Sequence, residues 1–302
     1  MPRKPKSELD LDQLARIERG VVATPLIQWY PGHIAKAEKA LQEQLSRVDV
    51  VLEVRDARIP LASFHPQIPA WIGTKPRLLI LNRVDMISPW EREQWQAWFR
   101  AQGESPYCAN GQTGDGVMAI FKAAQAAGVT INERRKLRGM NPRPVRAVVL
   151  GFPNVGKSAL INRLLKRKIA ASAARPGVTR QLRWIRISDQ LELLDAPGVL
   201  PANLKDQNAA IKLAICDDIG EAAYDNQRVA AALVDLLQDL NQAPRLLNRY
   251  QASLGERSGE EYIVYLATQR FQKDNERTGR QLLQDFRRLA LGPICLERPP
   301  SP

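Results

Sequence analysis

The chain has 302 residues, 44% of them hydrophobic and 25% charged, and a formal net charge of +12. This length and balance exclude wholesale disorder and allow a full buried core, with two domains as the expectation from size alone. No apolar run approaches the roughly 18 residues that a membrane span requires, and the first 25 residues carry no secretory signal pattern. Cys108, Cys216 and Cys295 are far apart and odd in number. That argues against a disulfide framework or a zinc site and for a reducing compartment, the cytoplasm.

The positive charge is unevenly spread. Residues 1–199 carry a net +13, whereas residues 200–302 carry −1. Two stretches, 134–146 and 157–186, hold the basic residues with no acid among them. Such runs can be a solvated face that keeps a protein soluble. Their density here favours a surface for the phosphate backbone of a nucleic acid.

In chain order, residues 1–25 form a polar extension with little to order it. The apolar runs 47–55 and 77–81 predict buried strands. Helical spacing covers 89–102, a turn-rich stretch follows over 105–116, and an Ala-rich helix is expected over 117–127. Residues 132–144 resemble a basic linker closed by Pro142 and Pro144. A strand is expected over 145–150, a helix over 158–165, and two strands over 182–187 and 191–194. Beyond Gly198 the pattern becomes helical, over 224–240, 260–271 and 274–289, with Asp274 as an N-cap. Strands alternating with helices imply an α/β fold with a mostly parallel sheet. The expected organisation is an extension over 1–25, an α/β domain over 26–205 and a small all-helical domain over 206–302.

Gly151 to Ser158 reads GFPNVGKS, the full G-x-x-x-x-G-K-[ST] pattern, between a predicted strand and a predicted helix. Gly151 and Gly156 let backbone N–H groups wrap phosphates, with Asn154, Val155 and Ala159 in the same cradle. Lys157 supplies a point charge to the β- and γ-phosphates, and the Ser158 hydroxyl reaches Mg²⁺. Asp195-Ala-Pro-Gly198 follows a strand, 37 residues beyond Ser158. There the carboxylate of Asp195 can hold Mg²⁺ and the N–H of Gly198 can sense the γ-phosphate. Thr179, in the RPGVT loop between them, can place its hydroxyl on the same ion when the γ-phosphate is present.

Asn82-Arg-Val-Asp85 follows the strand RLLIL and resembles the N-K-x-D base-reading motif of GTPases. A carboxylate at Asp85 accepts from both N–H groups of the guanine edge, which adenine lacks. Arg83 stands where Lys is usual, and its stem and guanidinium can cover the purine face. The turn-rich ANGQTGDG over 109–116 is the second base-contacting loop, with Asn110 and Gly111 as its contacts and its register open between Ala109 and Gln112. The base motif ends 66 residues before the phosphate loop, the reverse of the ordinary order. That order describes a circularly permuted P-loop GTPase domain. A P-loop kinase or ATPase, or an RNA-binding scaffold with a vestigial nucleotide site, are the competing readings. NRVD and DAPG argue against the first, and the complete set Lys157, Ser158, Thr179 and Asp195 against the second.

From about residue 26 to 297 the chain resembles the permuted GTPases of the ribosome biogenesis GTPase A type. The motifs are IQWYPGHIAKA (27–37), DARIP (56–60), LNRVD (81–85), GFPNVGKSALINRL (151–164), RPGVT (175–179), LELLDAPGVL (191–200) and LLQDFRRLALGPICLE (282–297). The resemblance implies GTP and GDP as ligands with Mg²⁺, slow hydrolysis, and action on the precursor of the large ribosomal subunit and its rRNA. It implies neither membrane nor DNA as partner, and a monomeric protein. Val199 stands where GTPases usually carry the water-orienting Gln, so Lys157, Thr179 and Gly198 are left with help from elsewhere. His33 in YPGH is either that catalytic group or a cap of the following helix. Asn154 matches the Asn that helps bind K⁺ in potassium-stimulated relatives, or is a plain polar loop residue.

Overall fold

The computed structural model describes residues 27, 34–166, 182–196 and 206–301. A six-stranded sheet is built from β1 (Val50–Asp56), β2 (Arg77–Asn82), β3 (Tyr107–Ala109), β4 (Val145–Leu150), β5 (Arg183–Arg186) and β6 (Leu191–Asp195). Their spatial order is β3-β2-β1-β4-β6-β5. All neighbours are parallel except the β5–β6 hairpin, which is antiparallel. β1 lies near the middle and every one of its seven residues is buried, as a Val-rich run enclosed by layers on both faces must be. The charge at its middle is paired inside: Glu53 accepts from Arg55 Nε and from Arg77 Nη1, both at 2.6 Å.

Six helices accompany the sheet up to the phosphate loop and just beyond the strands: α1 (Ile34–Leu45), α2 (Ile68–Ile72), α3 (Pro89–Ala101), α4 (Val117–Leu137), α5 (Lys157–Lys166) and α6 (Gln207–Ile215). Ser88 and Glu91 close α3 with a reciprocal capping box, and Pro89 takes the first helical position. α4 corrects one expectation. The basic stretch 132–144 is no linker at its start, because the helix continues through Leu137. Arg134, Arg135 and Lys136 occupy its last turn, where cations complement the partial negative charge of the helix end. Only residues 138–144 connect it to β4.

The rest is helical: α7 (Asn226–Asp239), α8 (Pro244–Tyr250), α9 (Gly259–Arg270) and α10 (Asn275–Arg287). Asp274 caps α10, accepting from the Arg277 N–H as the sequence implied. The short helices α2, α6 and α8 were not legible in the sequence, since each offers too few turns for a clear period, and α1 was expected only as a helix following His33 with no bounds. The final segment returns to the sheet. The Leu296 N–H donates to the Arg58 carbonyl at 2.8 Å and the Ile294 N–H to the Met86 carbonyl at 3.0 Å. The Glu297 carboxylate accepts from the backbone of Leu61 and Ala62. One buried apolar cluster runs from Val50, Leu52 and Val54 of β1 through Leu213 of α6 to Leu233 and Phe286. The helical part is thereby fixed against the carboxyl end of the sheet.

Candidate nucleotide site

The carboxyl ends of the parallel strands carry the described nucleotide motifs. β4 leads into the phosphate loop, β2 into NRVD, β3 into the second base loop, β6 ends at Asp195 and β1 runs into DARIP. In open α/β sheets this edge is where ligands bind. The register aligns them: Asn82 pairs with Asp56 on one side and Ala109 on the other, and Asp195 pairs with Val149.

The phosphate loop is held in a conformation that needs glycine. Gly156 has φ +97°, and a Cβ there would stand 2.1 Å from Asn82 Nδ2. At Gly151 a Cβ would stand 2.3 Å from the Val54 carbonyl oxygen. Asn154 is left-handed at φ +54°. α5 begins at Lys157, so Ser158 and Ala159 lie in the first turn of a helix whose N-terminus faces the cleft, a natural anion seat. Lys157 is buried and donates to the carbonyls of Gly151 at 3.1 Å and Phe152 at 2.6 Å. Burial lowers its ammonium to about 8, against the raising influence of the Asp195 and Asp218 carboxylates. A buried lysine with this depressed value is poised to meet phosphate charge.

Asn82 lines the cleft and clasps two of its loops. Its Nδ2 donates to the Val155 carbonyl at 2.8 Å and its Oδ1 accepts from the Gly111 N–H at 3.0 Å. The second base loop has its own clasp, since Asn110 Oδ1 accepts from the N–H groups of Gln112 and Thr113. This fixes Asn110, Gly111 and Gln112 along the cleft. Asp85 sits in a single 3₁₀ turn (Val84–Met86), exposed at the cleft wall with no hydrogen bond to any described residue.

Arg83 lines the cleft beside Asp85, and its guanidinium is also engaged within the protein, donating to Asp56 Oδ2 at 2.9 Å and to the Asn154 carbonyl. Its backbone is left-handed at φ 63°. It joins a charge centre that the motif reading did not contain. Arg58, 1% exposed, binds Asp56 through two bonds of 3.0 and 2.7 Å and also donates to the Cys216 carbonyl at 2.9 Å. Burial opposes the Asp56 charge, but Arg58 and Arg83 outweigh it and hold the carboxyl below its usual range. Asp218, fully buried, accepts no hydrogen bond from any described residue at either carboxylate oxygen and lies 3.8 Å from Arg83 Nη1. Burial and the Asp56 carboxylate push it up to about 8. The DARIP motif was legible as a resemblance, but its role as the base of this ion cluster depends on residues 216–218, far away in sequence.

These contacts make residues 216–218 a partner of the phosphate loop. Asn154 Nδ2 donates to the Asp217 carbonyl at 2.8 Å, so this side chain is held by the helical part. The cleft has a volume of about 620 Å³, within the range of small-molecule sites. His33, Thr179, Gly198 and Val199 lie outside the described residues. Among the described residues no cluster of His, Cys, Asp and Glu has the form of a metal centre, and no helix is long and apolar enough to cross a membrane.

Comparison with known proteins agrees with the geometry. Residues 146–267 match the family described as 50S ribosome-binding GTPase. That match starts one residue into β4, leaving NRVD and the second base loop before it. The ribosome biogenesis GTPase A of Bacillus pumilus (strain SAFR-032) is 34% identical over 281 residues, covering 91% of this chain and 99% of the relative. That of Bacillus cereus is 39% identical over 225 residues, covering 74% and 76%. Among solved structures, GNP-bound YlqF from T. maritima aligns with TM-score 0.61 at 22% identity, covering 88% of this chain and all of that one. The likeness extends across the permuted sheet and the helices that follow it. With base motif, phosphate loop and Asp195 gathered on one sheet edge in that rotated order, the chain belongs to the ribosome biogenesis GTPase A family, circularly permuted GTPases of ribosome assembly.

Proposed function

We propose that this GTPase is a switch of large-subunit assembly: it binds the precursor particle and its rRNA with GTP and leaves after hydrolysis. The observation that carries the reading is the single cleft shared by the phosphate loop, Asp85, the second base loop and residues 216–217 of the helical part. A cleft walled by both parts allows nucleotide state to bias how they sit together. The basic end of α4, with Arg134, Lys136 and Arg138 exposed, offers phosphate-binding charge on the sheet part. The action on the large subunit follows the family description and the relatives' names.

Ser158 and Asp195, joined by Thr179, form a hydroxyl and carboxylate set suited to Mg²⁺. When bound there, the ion neutralises charge on the phosphates. In this reading Lys157 would hold the β- and γ-phosphates, and Gly198, outside the described residues, would supply the N–H that senses the latter. Val199 cannot orient water, so intrinsic turnover is slow, with His33 as the chain's own candidate for that task. The oxygen of the Asn154 side chain, whose nitrogen is fixed on Asp217, is the candidate ligand for K⁺. Hydrolysis should then be faster in K⁺ than in Na⁺ at equal ionic strength. His33→Ala should lower turnover far more than GTP affinity. The protein works as a monomer in the cytoplasm, with neither DNA nor membrane as partner.

The test is sedimentation with purified large subunits at fixed, moderate salt, in GDP and in a non-hydrolysable GTP analogue. Binding confined to the analogue is expected. Equal binding in both states would sink the switch.

A further inference from the structure

The cleft has a wall that none of the nucleotide motifs supplies. Its far side is formed by Arg287, Arg288 and Leu289 at the end of α10. This stretch is held beside the base motif from two directions. Arg287 is anchored in the helical part, donating to the carbonyls of Ala214 and Ile215 and to the Tyr224 hydroxyl. A few residues later the Ile294 N–H donates to the carbonyl of Met86, the residue after Asp85. Leu289, left-handed at φ 62°, turns the chain between these anchors.

Arg288 differs from its neighbour. It is exposed at the cleft, and its guanidinium makes no hydrogen bond or ion pair with any described residue. Across the cleft, the arginine that belongs to the base motif is already engaged, with Arg83 on Asp56 and on the Asn154 carbonyl. Arg83 is thus committed to protein partners, whereas Arg288 is the cleft arginine whose guanidinium no described residue engages. A guanidinium is planar and delocalised, and it stacks on aromatic faces in a way an ammonium does not.

We propose that Arg288 is a base-contact residue for guanine nucleotides: its guanidinium, engaged by no described residue, lies on the purine from the helical side, across the cleft from Asp85 and Arg83. The assignment rests on the nucleotide reading of the cleft. It makes α10 part of the binding site, so base occupancy itself ties the helical part to the sheet.

The test measures the affinity of the full chain for a fluorescent GDP and for a non-hydrolysable GTP analogue, with thermal melting as a check of folding. Arg288→Ala should weaken both ligands by the same factor, about tenfold, the scale of a cation on an aromatic face. Arg288→Lys should recover only a minor part of the loss, since it restores charge without the plane. Arg280→Ala, on the same helix but outside the cleft, should change neither affinity. Unchanged affinity in Arg288→Ala, where the wild type binds, would overturn the proposal. So would a loss confined to the triphosphate, which would place Arg288 at the phosphates, or full recovery in Arg288→Lys. Failure of the wild type to bind either ligand would instead overturn the nucleotide reading itself, and this assignment with it.

Discussion

The Asn82 side chain donates to the carbonyl of Val155 at 2.8 Å, joining the base motif directly to the phosphate loop. Through its oxygen the same residue also holds Gly111. Three loops that are far apart in the chain are thus fixed by one buried amide. Asn82→Ala would leave a buried carbonyl and a buried N–H without these partners. The expected cost is about 1–3 kcal/mol of stability, read by denaturant unfolding, together with weaker binding of both GDP and GTP. Loss of stability with unchanged nucleotide affinity would show that the clasp serves folding only.

Lys157 is buried, and its ammonium is held down to about 8 by burial. A lysine so depressed contributes its stability above its unfolded value and loses it as pH falls through about 8. At neutral pH, Lys157→Ala should therefore melt no lower than the wild type. Its nucleotide affinity should fall by roughly a hundredfold, the loss of two charge-assisted contacts to phosphate. Hydrolysis at wild-type rate in this variant would remove the phosphate-loop assignment.

Asp85 is exposed on a short turn and makes no hydrogen bond with described residues, so replacing it should not disturb the fold. Asp85→Asn should weaken GTP and raise the relative affinity for xanthosine triphosphate, whose base offers a carbonyl where guanine offers an amino group. Competition between the two triphosphates checks this, and an unchanged preference would show that NRVD does not read the base.

Asp218 is raised to about 8 by burial and by the Asp56 carboxylate. A carboxyl raised in the folded state gives stability that is complete below its ordinary value and is lost as pH rises through about 8. Asp218→Asn removes that loss. The melting temperature of the variant relative to the wild type should climb between about pH 4 and about pH 8 and level off above that. A difference that is flat across this window would mean that Asp218 keeps its charge throughout.

Although the three-residue strand β3 lay inside a stretch that reads as turns, the sequence by itself determined five of the six strands of the sheet, most of the long helices and the nucleotide motifs. Each of these is a local pattern: an apolar run, a capped period of 3.6 residues, or a glycine-lysine loop that few other functions require. Even the permutation was readable, because it is an order along the chain. The three-dimensional fold decided what the side chains of those motifs touch. Arg83 reads locally as a cover for a purine, yet it is drawn to Asp56 and the Asn154 carbonyl. That choice was set by a buried charge cluster in which Asp218 lies 135 positions away from Arg83. The basic run after α4 reads as a linker, yet its first residues complete a helix whose buried face, Val117, Ile120, Ala124 and Gly128, packs on the sheet. Burial raises the strength of every charge interaction and is a property of the assembled core. No local pattern records which distant residues will share a low-dielectric pocket, and so the partners of Asn82, Arg83 and Asp218 emerged only when the sheet and the helices closed on each other.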